Sequence, residues 1–203
     1  MQLKLRPLTE GECLSFTEVF TEHTVNNVGA DSFFCTFFSP GQSNHYAITD
    51  IPEGSEPLGY YDKIPSAYTN VIIPVKEGAK WAVCGYALWK HIVPSFQRNR
   101  IFNILDYIAP SALVARPLSP VQSFVLSRVD KNTGKTLAVS ILNCTIEPQS
   151  QIKILIRNPE IKSFTFISQY DGELPLTYEE TSDGFIVTIP KLSPWSIGTV
   201  FCC

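Results

Sequence analysis

From Ser123 to Phe201 apolar side chains recur at every second position, the spacing of strands with one buried face. Leu137, Val139 and Ile141 share a face, and so do Ile152, Ile154 and Ile156, with Lys153 and Arg157 on the opposite side. The pattern repeats in Phe164 and Phe166, in Leu174, Leu176 and Tyr178, and in Phe185, Val187 and Ile189. A first strand over 124–129 and a last over 197–201 bring the expected number to seven. Turn residues punctuate the run at Asp130 to Gly134, Asp171-Gly172 and Asp183-Gly184. Pro148, Pro159, Pro175 and Pro190 suit edges, strand starts and loops rather than a central ladder. Short strands at this spacing predict a small antiparallel β-sandwich.

Upstream the period changes. Ile101, Ile104, Leu105 and Ile108 fall at helical spacing, with Arg98, Arg100 and Asp106 off the stripe. Ser95 is placed to cap this helix, and Pro110 disfavours helical backbone at Ala109. Before it, Lys80 to Trp89 is apolar on both faces, as in a central strand covered on two sides. Shorter strands are expected over 32–38, 56–62 and 70–75, and a helix over 9–20 with an imperfect stripe. The proline-rich stretch 109–120 reads as a semi-rigid connector. The expected fold class is α+β: a partial α/β domain over 1–112, then an all-β antiparallel sandwich over 113–203.

Composition narrows the function classes. With 44% hydrophobic and 17% charged residues in a chain of 203, the protein is globular rather than disordered. A net charge of −3 gives no electrostatic reason to expect nucleic acid. No apolar stretch reaches the roughly 20 residues that span a bilayer. The first residues lack the apolar core of a signal peptide. That places the protein in the cytoplasm, or, if the chain begins inside a longer exported polypeptide, in the periplasm or outside the cell. The six cysteines show no C-x-x-C spacing, so neither a metal nor a cofactor is expected.

Candidate chemistry is sparse. Gly134-Lys135-Thr136 imitates the end of a phosphate loop, but Val129 stands where that motif needs glycine, and the context is a hairpin turn. Cys84, His91 and Asp106 can be written as a thiol triad, yet Cys84 reads as core and nothing orients the imidazole towards it. Glu12, Glu18, Glu22, Asp50, Glu53, Glu56 and Asp62 are carboxylates in the first third, and no stretch selects a hydrolytic pair, so a solvated surface is their default. His45, Tyr46 and Trp89 are the candidate saccharide contacts, set against ordinary loop and core packing. Trp195 is expected to plug one end of the sandwich, and Asn143-Cys144-Thr145 is formally a glycosylation sequon.

One resemblance gathers several of these features. Gly78, Lys80 and Trp81 are followed by Gly85-Tyr86, Trp89, Arg98-Asn99-Arg100, Ile104 to Tyr107 and Leu113. Then come 125–143, Tyr170-Asp171-Gly172, Pro190 to Trp195 and a final hydrophobic strand. In this order, over about 70–203, the chain resembles the C-terminal end of multidomain β-galactosidase-like glycoside hydrolases. There a catalytic (β/α)8 barrel precedes a glutamine-amidotransferase-like α/β domain and a small β-sandwich. A barrel takes about 250 residues, more than the chain holds. The resemblance therefore implies no catalytic residue here, but an accessory or assembly fragment whose partners are further copies of itself or a catalytic glycosidase domain. A stand-alone carbohydrate-binding module with an aromatic platform on the sandwich, and a saccharide as ligand, is the alternative. A small hydrolase with an unrecognised site is the third.

Overall fold

The computed structural model describes residues 3–14, 17–29, 31–35, 45–88, 95–110, 112–119, 121–160 and 162–202. The chain divides into two compact units, Met1–Pro110 and Ser111–Cys203.

The first unit contains β1 (Lys4–Pro7), α1 (Glu10–Leu14), β2 (Thr17–Phe20), β3 (Phe33–Cys35), β4 (Tyr46–Asp50), β5 (Glu56–Tyr61), β6 (Tyr68–Pro74), β7 (Lys80–Cys84) and α2 (Ser95–Ile108). Its strands form one seven-stranded sheet in the order β1-β4-β6-β5-β2-β3, with β7 also paired to β6. Every described pairing in it is antiparallel. The α/β layering expected for 1–112 is thus not what these residues build. The connections explain why: β5 reaches β6, and β6 reaches β7, through a few residues each, whereas a parallel crossover needs a dozen or more.

Two local expectations change with the sheet. The helix expected over 9–20 ends at Leu14, and the chain is extended again from Thr17. Thr9 and Glu12 form a reciprocal cap at its start: the Thr9 N–H donates to Glu12 Oε2 at 2.7 Å, and the Glu12 N–H donates to Thr9 Oγ1 at 3.4 Å. The strand expected over 80–89 stops at Cys84, and Trp81 is exposed rather than covered. At Gly85 the backbone passes between its neighbours, donating to Thr69 O at 2.6 Å and accepting from the Tyr46 N–H at 2.7 Å. A Cβ there would lie 2.3 Å from Tyr46 O, so only glycine fits.

The period of α2 matches the sequence pattern, but its buried face is turned. Ile104 is buried and Ile101 and Ile108 pack on the core, while Leu105 is exposed. Gln97 and Arg100 are fully buried in its place. The core beneath the helix holds Phe20, Val25, Leu58, Tyr61, Ile72 and Tyr86.

The second unit contains β8 (Ala115–Pro117), β9 (Ser123–Val129), β10 (Thr136–Asn143), β11 (Gln149–Ile156), β12 (Phe164–Ser168), β13 (Gly172–Leu174), β14 (Thr177–Thr181), β15 (Gly184–Leu192) and β16 (Ile197–Cys202). They make a five-stranded sheet, β13-β12-β16-β10-β9, and a four-stranded sheet, β14-β15-β11-β8. All the strand pairings are antiparallel. The expected sandwich is present. Its core unites Val139, Ile141, Phe166 and Val200 of one sheet with Ile152, Ile154, Ile156, Val187 and Ile189 of the other. The stretch read as one strand from Leu174 to Tyr178 is two, β13 in one sheet and β14 in the other. Pro175, without an N–H to continue a ladder, sits at the crossing.

Candidate functional site

Glu18 on β2 is buried, not solvated: it and Arg100 of α2 both have 0% exposure. Arg100 grips it with two hydrogen bonds, Nη1 to Oε2 at 3.0 Å and Nη2 to Oε1 at 2.9 Å. The hydroxyls of Thr69 and Tyr86 each donate to the carboxylate at 2.5 Å, and Asn70 Nδ2 at 2.9 Å. Arg100 also donates from Nε to Asn26 Oδ1 at 2.9 Å and lies over the Phe20 ring at 4.5 Å. The Asn26 amide in turn donates to Thr21 O and Leu58 O. Gln97 donates to the Tyr86 hydroxyl at 3.0 Å.

The backbone makes room for this network. A Cβ at residue 59 would come within 2.6 Å of Glu18 Oε1, so Gly59 on β5 admits the carboxylate. Burial works against the Arg100 charge, but the Glu18 carboxylate outweighs it and raises the pKa above its ordinary value. Burial, then the same carboxylate, lifts the Tyr86 hydroxyl well above the usual phenol range. Arg100 and Tyr86 therefore both keep their protons across the physiological range. Fully buried, the Glu18–Arg100 pair ties α2 to the sheet.

A second cluster lies nearer the surface. Glu56 Oε2 accepts from Tyr107 at 2.5 Å and pairs with His23 Nε2 at 2.9 Å, while Oε1 accepts from Lys80 at 3.0 Å. His23 Nδ1 accepts the Val25 N–H at 3.2 Å, which places the ring proton on Nε2, facing Glu56. Lys80 stands 3.9 Å from the Tyr107 ring centre, and the His23 ring meets that ring edge-on. Burial raises the Glu56 carboxyl, but hydrogen bonds from His23, Tyr107 and Lys80 overcome it and hold the pKa at about 2. An open depression of about 1010 Å³ borders the cluster, lined by Glu22, His23, Thr24, Asn27, Val28, Gly29 and Tyr107.

A carboxyl held near 2 has no proton to donate at neutral pH and is too weak a base to take one. Both Glu56 oxygens are hydrogen-bonded, and Glu18 is fully buried. Glycoside hydrolysis needs two carboxyls across a sugar cleft, one with a raised pKa to act as acid.

The residues singled out from sequence do not converge. His45 is 3% exposed, with its ring stacked near Tyr86 at 6.4 Å. Tyr46 is half-buried in β4, its carbonyl accepting from the Tyr61 hydroxyl at 3.0 Å. Trp89 and His91 lie outside the described residues. Cys84 has its thiol pushed up to about 11, first by burial, so a thiolate is disfavoured. Lys135 follows the β9–β10 turn, while the Thr136 hydroxyl is buried against Arg157 O at 2.7 Å. Asn143 of the sequon is buried too, its Nδ2 donating to Glu147 O, Leu192 O and Ser193 O. Among the described residues no cluster of three or more His, Cys, Asp or Glu could hold a metal, and no helix is long and apolar enough to cross a membrane.

No family model matches the chain, and no curated protein matches it in sequence. Among solved structures it is similar to alpha-L-fucosidase isoenzyme 2 from Paenibacillus thiaminolyticus, with a TM-score of 0.56 and 10% sequence identity. The likeness covers 100% of this chain and 34% of the fucosidase chain. The fold is glycosidase-related. This chain spans about a third of that enzyme's length.

Sequence reasoning missed Glu18, Arg100, Glu56 and Tyr107 as partners. Arg100 and Glu18 are separated by 82 positions, and no local pattern links them. A faint signal lay in α2, where Gln97 and Arg100 share a helical face with Ile101 and Ile104 at three- and four-residue spacings.

Proposed function

We propose that this chain is a non-catalytic accessory and assembly piece of the glycoside hydrolase kind, working beside a catalytic domain or in an oligomer of its own copies. The observation that carries this reading is the likeness of the whole chain to one third of a fucosidase. The described carboxylates support it, since Glu18 and Glu56 are occupied as structural acceptors. The outer face of the five-stranded sheet supports it as well. The pairing puts Phe124 level with Leu142 and Ile197, and Leu126 level with Ser140, Thr199 and Ile167. Phe124 and Leu126 are 66% and 64% exposed, a surface of the sort that partners cover.

The test is a panel of chromogenic fucosides and galactosides with the purified chain, alongside light scattering at rising concentration. No turnover and self-association are expected. Turnover abolished by no treatment that removes a contaminant overturns the non-catalytic reading; a monomer at every concentration counts against self-assembly.

A further inference from the structure

Two turns meet at one end of the second unit. β12 and β16 pair with Ser168 opposite Gly198, and the ladder runs on through the Gln169 N–H to Ile197 O at 3.0 Å. Beyond that point residues 169–171 close a hairpin into β13, with Ser168 opposite Gly172. Residues 193–196 turn from β15 into β16. Tyr170 is at the middle of the first turn and Trp195 in the second, and they are 67% and 61% exposed. The sandwich plug expected of Trp195 is therefore absent: the ring stands out in solvent.

Trp195 also has a φ of 51°, a conformation natural to glycine and costly for a bulky side chain, by about 1–2 kcal/mol. Stability alone favours neither the strain nor the exposure. The backbone beneath is held firmly. Asn143, buried, donates to Leu192 O, Ser193 O and Glu147 O, and its own N–H donates to Ser196 O at 2.9 Å. Asp171, beside Tyr170, accepts from Ser168, Ser193 and Lys191 at 3.2, 3.4 and 3.3 Å. Lys191 is thus spoken for, and Glu147 is exposed nearby, so the local charge does not favour an anionic surface.

We propose that this end of the sandwich is a binding platform for neutral saccharides. The apolar C–H face of a pyranose rests on the rings of Trp195 and Tyr170, and its hydroxyls reach the Asp171 carboxylate and the Gln169 amide. Firmly braced aromatic faces with a few polar groups beside them are the composition that orients such a ligand. This assignment is independent of the assembly role.

Affinity electrophoresis of the full chain in gels containing galactan, xylan, glucomannan or polygalacturonate tests it, with phosphatidylcholine and phosphatidylglycerol vesicles in a parallel sedimentation assay. Retardation is expected with at least one neutral polysaccharide and not with polygalacturonate. Trp195→Gly removes the ring and relaxes the backbone, so it should melt no lower than the parent while binding about tenfold more weakly. Tyr170→Ala should weaken binding in the same direction. Retardation by no neutral polysaccharide, or retardation that Trp195→Gly leaves unchanged, overturns the proposal. Vesicle binding that depends on Trp195, without polysaccharide binding, also overturns it and assigns the surface to lipid.

Discussion

Arg100 holds both oxygens of Glu18 in a two-pronged pair between α2 and β2, and neither side chain reaches water. Four further side chains hydrogen-bond to the pair: Thr69 and Asn70 from β6, Tyr86 from the segment after β7, and Asn26 from the segment after β2.

Removing one partner should be far worse than removing both. Arg100→Met strands the Glu18 charge in the core, and about 3–5 kcal/mol of stability should be lost. Combining it with Glu18→Leu removes the stranded charge, so the double variant should be more stable than Arg100→Met alone. Urea denaturation of the three proteins measures this. A double variant as unstable as the sum of the single ones shows that the pair is not coupled.

Acid sensitivity should follow from the depressed carboxyls. Glu56 and Glu12 each stand at about 2 when folded, against an ordinary 4.5. For Glu12 the leading cause is the hydrogen bonds from Arg6, followed by the Thr9 N–H. A carboxyl whose folded pKa is lowered contributes fully above its unfolded value, and that contribution fades as pH falls through the folded one. Stability of the first unit should therefore decline between about pH 4.5 and 2. Glu56→Gln should be less stable at pH 7 and show a shallower loss over that window. Thermal melts across the pH series decide it, and an unchanged slope in the variant assigns the acid sensitivity to other groups.

Asn143 should act as a brace and not as a glycan acceptor. Its amide serves three carbonyls and is buried, so Asn143→Ala should cost about 1–3 kcal/mol by leaving those acceptors without their donor. Mass spectrometry of the chain made in a secretory host should find this asparagine unmodified in correctly folded protein. A glycan there, on protein with the parent's melting temperature, contradicts the buried bridging role.

The sandwich was legible because a two-residue period reports burial directly. Val139, Ile141, Ile152, Ile154, Val187 and Ile189 alternate in sequence and meet in the core. The crossing at Pro175 hid in the same alternation, since period alone does not say which sheet a strand joins. The first unit was harder because its organising residues are polar. A window that counts apolar positions sets Glu18, Gln97 and Arg100 outside the core, which turns the buried face of α2 towards Leu105 and leaves β2 inside a supposed helix. The meeting of His23, Glu56 and Tyr107 was not readable from spacing, because their contacts span 33 and 51 positions. Trp195 misled for another reason: a large aromatic body favours burial, and only its backbone angle and exposure mark it as different.

The long reach of the Arg100 clasp bears on how the protein is made. Synthesis delivers β2 early and α2 near the close of the unit, so a growing chain released only as far as β7 carries an acidic group shaped for a pocket whose counter-charge is still inside the ribosome. Stable structure in this half has to await the arrival of its final helix. A chain halted before that helix should be a substrate for proteolysis.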